Sequence, residues 1–194
     1  IDWIGELIGY KKGFGGNLAS GGSMANLIAI STARIAMNIK SKDIENCTIY
    51  LTTQTHHCVT KSLKIVGLEE VQLRYIKLDE NYRMSPKNLE AQIEKDKKMG
   101  LKPFLVVASA GSTDVGAIDP IEEIADIAEK HNIWYHVDAA YGGFFLLCDE
   151  TKSKFKGINR ADSVVMDPHK GMFLTYGVGV GMVKDIRHLL EANP

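Results

Sequence analysis

Apolar and polar positions follow two rhythms along this chain. Short β-branched or aromatic runs of strand length occupy residues 48–52, 72–78, 104–108, 133–137 and 163–166. Between them lie helical patterns. Residues 22–37 carry Leu27, Ile30, Ala33 and Met37 at the spacing of one helix face. Ser85 and Pro86 supply an N-cap and a first-turn proline for a helix running through Lys98, which Gly100 stops. Asp119, Pro120, Ile121 and Glu122 predict a second capped start, a capping box, followed by the stripe Ile121, Ile124, Ala125 and Ala128. Residues 1–7 read like the middle of a helix, so the sequence is expected to be a piece of a longer one. Strand and helix in repeated alternation predict an α/β fold of three layers, a mainly parallel sheet with helices on both faces, because parallel neighbours need a crossover between them.

In such sheets ligands bind beyond the carboxyl ends of the strands, so polar residues placed where a strand run stops are the first candidates for chemistry. Four places qualify. Residues 13–23 form a glycine-rich loop leading into a helix, where free N–H groups favour an anion such as phosphate. The spacing matches neither a P-loop nor a dinucleotide fingerprint, and a flexible turn with Ser23 near a helix cap is an equal reading. Second, Thr55-His56-His57-Cys58 follows a strand run; either histidine is a candidate ligand, base or flat partner for a planar group, and an ordinary helix-start residue is the alternative. Third, His136 and Asp138 fall on one side of a strand, with the carboxylate at its carboxyl end and small residues after it. A buried carboxylate demands a cationic partner. No third ligand at a sensible spacing completes a metal site with them, so no metal is expected. Fourth, in Asp167-Pro168-His169-Lys170-Gly171 a lysine after an apolar run is a candidate amine nucleophile if desolvated, and a surface lysine otherwise.

Composition narrows the function classes. With 194 residues, 45% hydrophobic, 24% charged and a net charge of −1, the chain is an ordinary globular protein of one domain. It has no basic footprint for nucleic acid. The uncharged stretch 171–183 is too short to span a bilayer and holds four glycines. Three scattered cysteines and the lack of a signal peptide suit a reducing, cytoplasmic setting.

A phosphate cradle, a flat imidazole, a carboxylate needing a cation and a lysine amine share one explanation, a pyridoxal phosphate site. The strings LASGGSMANL, THHCVTKS, HVDAAYGG and DPHKG, in this order, resemble the group II pyridoxal-phosphate-dependent amino-acid decarboxylases, the glutamate, aromatic and histidine decarboxylase family with the aspartate-aminotransferase (type I) fold. The resemblance implies that residues 1–194 are part of the cofactor-binding large domain, without the family's N-terminal segment, small C-terminal domain and reprotonating tyrosine. By similarity Lys170 forms the Schiff base with pyridoxal 5′-phosphate and Asp138 pairs with the pyridine nitrogen. His56, five residues before Lys61, stacks on one ring face and Ala140 packs on the other. Gly22 and Ser23 hold the phosphate, Ser112 lies near the cofactor, and Asp167 and His169 flank the lysine. Decarboxylation of an L-amino acid to an amine and carbon dioxide by a homodimer is the implied activity. Another type I lyase acting on a phosphorylated amino alcohol, or a non-catalytic binding remnant, are the alternatives. Departures from the family pattern are Met24, Cys58 and Gly171, the last where tryptophan is common.

Overall fold

The computed structural model describes residues 1–193. Helix α1 (Asp2–Ile8) opens the chain, as its apolar spacing predicts, and ends on Gly9 in the left-handed region. The elements that follow are β1 (Gly15–Ala19), α2 (Gly22–Ala36), β2 (Cys47–Leu51), α3 (Cys58–Ile65), β3 (Gln72–Tyr75), α4 (Pro86–Lys98), β4 (Lys102–Ser109), α5 (Ile121–His131) and β5 (Trp134–Asp138). A single turn α6 (Asp149–Lys152), β6 (Ser163–Met166), a second single turn α7 (Pro168–Gly171), β7 (Gly179–Val183) and α8 (Ile186–Ala192) complete the order. The seven strands form one sheet in the order β1-β7-β6-β5-β4-β2-β3. Its central pairs are parallel, while β7 runs antiparallel to both β6 and β1.

The period-two alternation of strand side chains divides the core between the two faces. On β4, Val106 and Ala108 join Ile4, Leu89, Ile93 and Ile124 in the layer beneath α1, α4 and α5. Leu105 and Val107 point the other way, to Ile30, Val59, Leu63 and Leu189 of α2, α3 and α8. All five strand runs read from the sequence are strands, with ends shifted by a few residues. The largest shift is in β3, which ends at Tyr75, leaving Leu78 in an isolated bridge to Met84.

Three local expectations are corrected. The glycine-rich run 13–23 is not all loop, because residues 15–19 are edge strand β1, paired through their backbone with β7. Glycines are poor strand formers and hid both partners; here each is held by the other's main chain. Only Ser20 and Gly21 are left as the turn before α2, with Gly21 at φ 105°, and a Cβ on Gly179 of β7 would overlap the Gly21 backbone. The buried face of α2 is Ala25, Asn26, Ala29, Ile30 and Ala33, with Leu27 and Met37 at its margins. Ser85 does cap α4, accepting from the Asn88 amide. Asp119 does not cap α5, whose N-cap is Pro120 without a side-chain bond. Instead the Asp119 carboxylate is buried, accepting from the Met84 amide at 2.6 Å and the Ser109 amide at 2.7 Å, so it fastens the end of β4 to the turn after β3. Burial pushes this carboxyl up to about 6 despite both bonds.

Candidate active site

The carboxyl ends of β2, β4, β5 and β6 open on the α2–α3 side into a cleft of about 180 Å³. Gly22, Ser23, His56, Ser112, Asp138, Ala140, Asp167, His169 and Lys170 all line it. These residues come from five separate stretches of chain, and the sheet order is what gathers them. His57, by contrast, is exposed and does not line the cleft, although its ring lies 4.1 Å from that of His56.

Asp138 ends β5, buried, and one of its oxygens accepts from the Ala140 amide at 3.1 Å. Burial pushes its carboxyl up; the Ala140 amide, Lys170, His56 and the Asn26 carboxamide pull it back down. This is a carboxylate that gains from a cation placed against it. His56 stands between β2 and α3, where its Nδ1 accepts from the Cys58 amide at 3.2 Å, so that a neutral ring carries its proton on Nε2. It thus serves the helix start and the cleft together. Burial and the neighbouring His57 hold its ring below the ordinary imidazole range. Burial also pushes the Cys58 thiol up to about 12, so Cys58 forms an unreactive wall.

The Lys170 ammonium lies 3.0 Å from Asp167 Oδ2. Its side chain is 41% exposed, which corrects the expectation of a desolvated lysine: α7 is one turn long and leaves the amine at the mouth, steered inward by ion pairing. Next to it, His169 donates from Nδ1 to the Val178 carbonyl at 2.6 Å and its ring meets Tyr176 edge-on. Gly22 packs against Asp167: a Cβ there would lie 2.6 Å from Oδ2. Ser112 turns its hydroxyl into its own loop, accepting from the Ala117 amide at 3.1 Å. Where a tryptophan is common beside the lysine, Gly171 leaves room that Phe144 fills, since a Cβ on Gly171 would lie 2.9 Å from Phe144 Cβ.

Asn26, Gln54, Ser109, Tyr141 and Tyr176 also line the cleft and escaped the reading of the sequence. Asn26 had a signal. An amide four residues after Gly22, on the buried side of a helix, needs a polar neighbour. Tyr141 and Tyr176 had none, because their place depends on how loops fold over the strand ends.

The donor set suits pyridoxal phosphate. Gln54 Oε1 and Asp167 Oδ1 are buried on this wall without a hydrogen-bond donor, which marks the cleft as built for a polar guest. The first turn of α2 offers backbone N–H groups at one end and the Asp138 carboxylate stands in the floor. No group of three or more His, Cys, Asp or Glu side chains arranged to hold a metal ion occurs among the described residues. No helix among them is long and apolar enough to cross a membrane.

One layer behind the cleft, His136 is buried and burial pushes it down to about 4. In the unfolded chain an imidazole titrates near 6.5, so on acidification the unfolded state takes the proton first. The stabilisation from this neutral ring is complete above pH 6.5 and is lost as pH falls toward 4, for a total of roughly 3 kcal/mol. Urea unfolding at steps from pH 7 to 4.5 is expected to show that loss, and His136→Gln is expected to flatten it. An equal acid loss in the variant would assign the effect to other groups.

Residues 1–194 match the pyridoxal-dependent decarboxylase conserved domain. Over 189 residues the chain is 39% identical to an aromatic-L-amino-acid decarboxylase of Bacillus atrophaeus, covering 97% of this chain and 39% of that protein. The crystal structure of mouse CSAD superposes with a TM-score of 0.89 at 34% identity, covering 98% of this chain and 41% of that one. Oryza sativa TDC, solved with PLP and tryptamine, gives a TM-score of 0.90 at 28% identity over 100% of this chain and 43% of that one. The chain therefore spans about two fifths of the length of the relatives it matches. By sequence and by fold, it belongs to the pyridoxal-dependent decarboxylase family.

Proposed function

We propose that residues 1–194 are the cofactor-binding core of a decarboxylase that converts an L-amino acid to its amine and carbon dioxide with pyridoxal 5′-phosphate. The observation that carries this reading is the meeting of the Lys170 amine, the buried Asp138 carboxylate, the His56 ring and the start of α2 in one cleft. When bound, the cofactor supplies an electron-withdrawing ring that stabilises the charge left on the α-carbon as carbon dioxide departs.

Each residue has a task that follows from its setting. The α2 N-terminus, with Gly22 and Ser23, binds the phosphate, since both residues line the cleft and no side chain caps this helix start. Asp138 holds a proton on the ring nitrogen, where a fixed negative charge favours the cationic ring. His56 and Ala140 border the cleft as the two flat walls that orient the ring between them. Lys170 would hold the cofactor through its amine, and Asp167, with His169 beside it, keeps that amine aimed inward. In the full-length protein a second copy covers the exposed Phe173, Leu174 and Tyr176 beside the mouth, as expected of a homodimer.

The test is direct. The purified chain is mixed with pyridoxal 5′-phosphate, reduced with borohydride and mapped by peptide mass spectrometry. A pyridoxyl group on the peptide carrying Lys170 is the expected result. Label spread over the exposed lysines, with none enriched at Lys170, would refute the assignment.

A further inference from the structure

We propose that Asn26 and His136 are positioning residues that aim Asp138 at the cofactor's ring nitrogen, through a hydrogen-bond relay running from Trp134 to Gly22. The proposal rests on the reading of Asp138 as the partner of that nitrogen. Four buried side chains on three elements form the relay: Trp134 and His136 on β5, Ser163 on β6 and Asn26 on α2.

Its direction is fixed by its two ends. An indole N–H only donates, so Trp134 Nε1 donates to Ser163 Oγ at 2.9 Å. A carbonyl only accepts, so Asn26 Nδ2 donates to the Gly22 carbonyl at 2.9 Å. The Asn26 carboxamide oxygen therefore faces His136 Nε2, 2.9 Å away, and Nε2 must carry the proton. A neutral ring protonated on Nε2 has a bare Nδ1, which receives the Ser163 hydroxyl proton across 2.8 Å. Every member then has one consistent orientation. The neutral state that this requires matches the depressed titration of His136.

What this arrangement accomplishes lies at Asn26. With its oxygen held by His136 and one N–H held by Gly22, the carboxamide has one N–H left in the cleft that Asn26 and Asp138 both line, and the nearby amide is one of the influences that lower that carboxyl. Against the upward push of burial, two amides thus favour the charged form of Asp138, that of Ala140 in its own turn and one from α2. The same asparagine bonds the carbonyl of Gly22, at the phosphate end of the cleft. Packing alone does not explain an amide here, since its helical neighbours on this face, Ala25 and Ala29, are small and apolar.

The test compares pyridoxal 5′-phosphate with its 1-deaza analogue, in which a C–H replaces the ring nitrogen. The native chain is expected to bind the natural cofactor more tightly than the analogue. Asn26→Leu and His136→Leu are each expected to reduce that preference about tenfold, the size of a hydrogen bond to a charged group, while affinity for the analogue stays within about twofold. A variant that weakens both ligands equally acts on folding or packing, and that outcome overturns the relay. If the native chain does not discriminate between the two ligands, the reading of Asp138 fails instead. Independently of any variant's folding, nitrogen-15 NMR of the native chain without cofactor is expected to find His136 neutral and protonated on Nε2 at pH 7. The opposite tautomer, or an imidazolium, would also overturn the proposal.

Discussion

Lys170→Ala is expected to abolish carbon dioxide release in the full-length protein, a fall of roughly 10³-fold or more, and to remove the borohydride-fixed label altogether. The argument is positional. Lys170 sits at the mouth with its amine 3.0 Å from a buried carboxylate, the one lysine among the residues lining the cleft. The next lysine along the helix after His56 is Lys61, which is exposed and lines no part of it. Alanine removes an amine that no neighbour replaces, and it leaves Asp167 buried without its ion-pair partner. The readouts are carbon dioxide evolution and mass spectrometry on the reduced protein. Retained turnover above about one tenth of the native rate would show that another group forms the covalent bond. Thermal unfolding of the variant guards against a trivial cause, since a buried carboxylate left without its partner costs stability.

Asp138→Asn is expected to lower carbon dioxide release by about 10²- to 10³-fold with little change in fold. Asparagine keeps the shape, and its carboxamide oxygen can still accept from the Ala140 amide, as Asp138 does at 3.1 Å. What it loses is the negative charge. Without that charge the ring nitrogen no longer holds its proton, and the withdrawal of electrons from the α-carbon weakens. Because burial already works against the ionised form of Asp138, the site gains from the charge only through the groups that favour it: Ala140, Lys170, His56 and Asn26. Steady-state rates should fall through kcat more than through KM, since the charge matters most where the carbanion develops. An equal rise in KM with kcat unchanged would make Asp138 a binding residue only.

The sheet and most of its strands were legible in the sequence because buried strands at the centre are written in β-branched residues, as in Ser163–Met166 and β4. The two strands that escaped, β1 and β7, each carry two glycines in five residues and are held by backbone pairing, which breaks the side-chain pattern that marks a strand. Asp119 misled for a different reason. An aspartate before a proline at a helix start is the sequence of a cap, yet its carboxylate found two amides from distant segments instead. At the cleft, groups at the ends of strand runs could be picked out, because the end of a β-branched run shows in the sequence and chemistry in this architecture gathers there. The relay could not, since its links join residues as far apart as Asn26 and His136, whose meeting is a property of the folded sheet.

The position of β1 has a further effect during synthesis on the ribosome. Gly15–Ala19 leaves the exit tunnel long before its hydrogen-bonding neighbour, Gly179–Val183. Until then the first turn of α2 has no fixed relation to Lys170. The nascent chain must wait for its closing strand before it owns a binding cleft, and contacts of such long sequence separation form slowly.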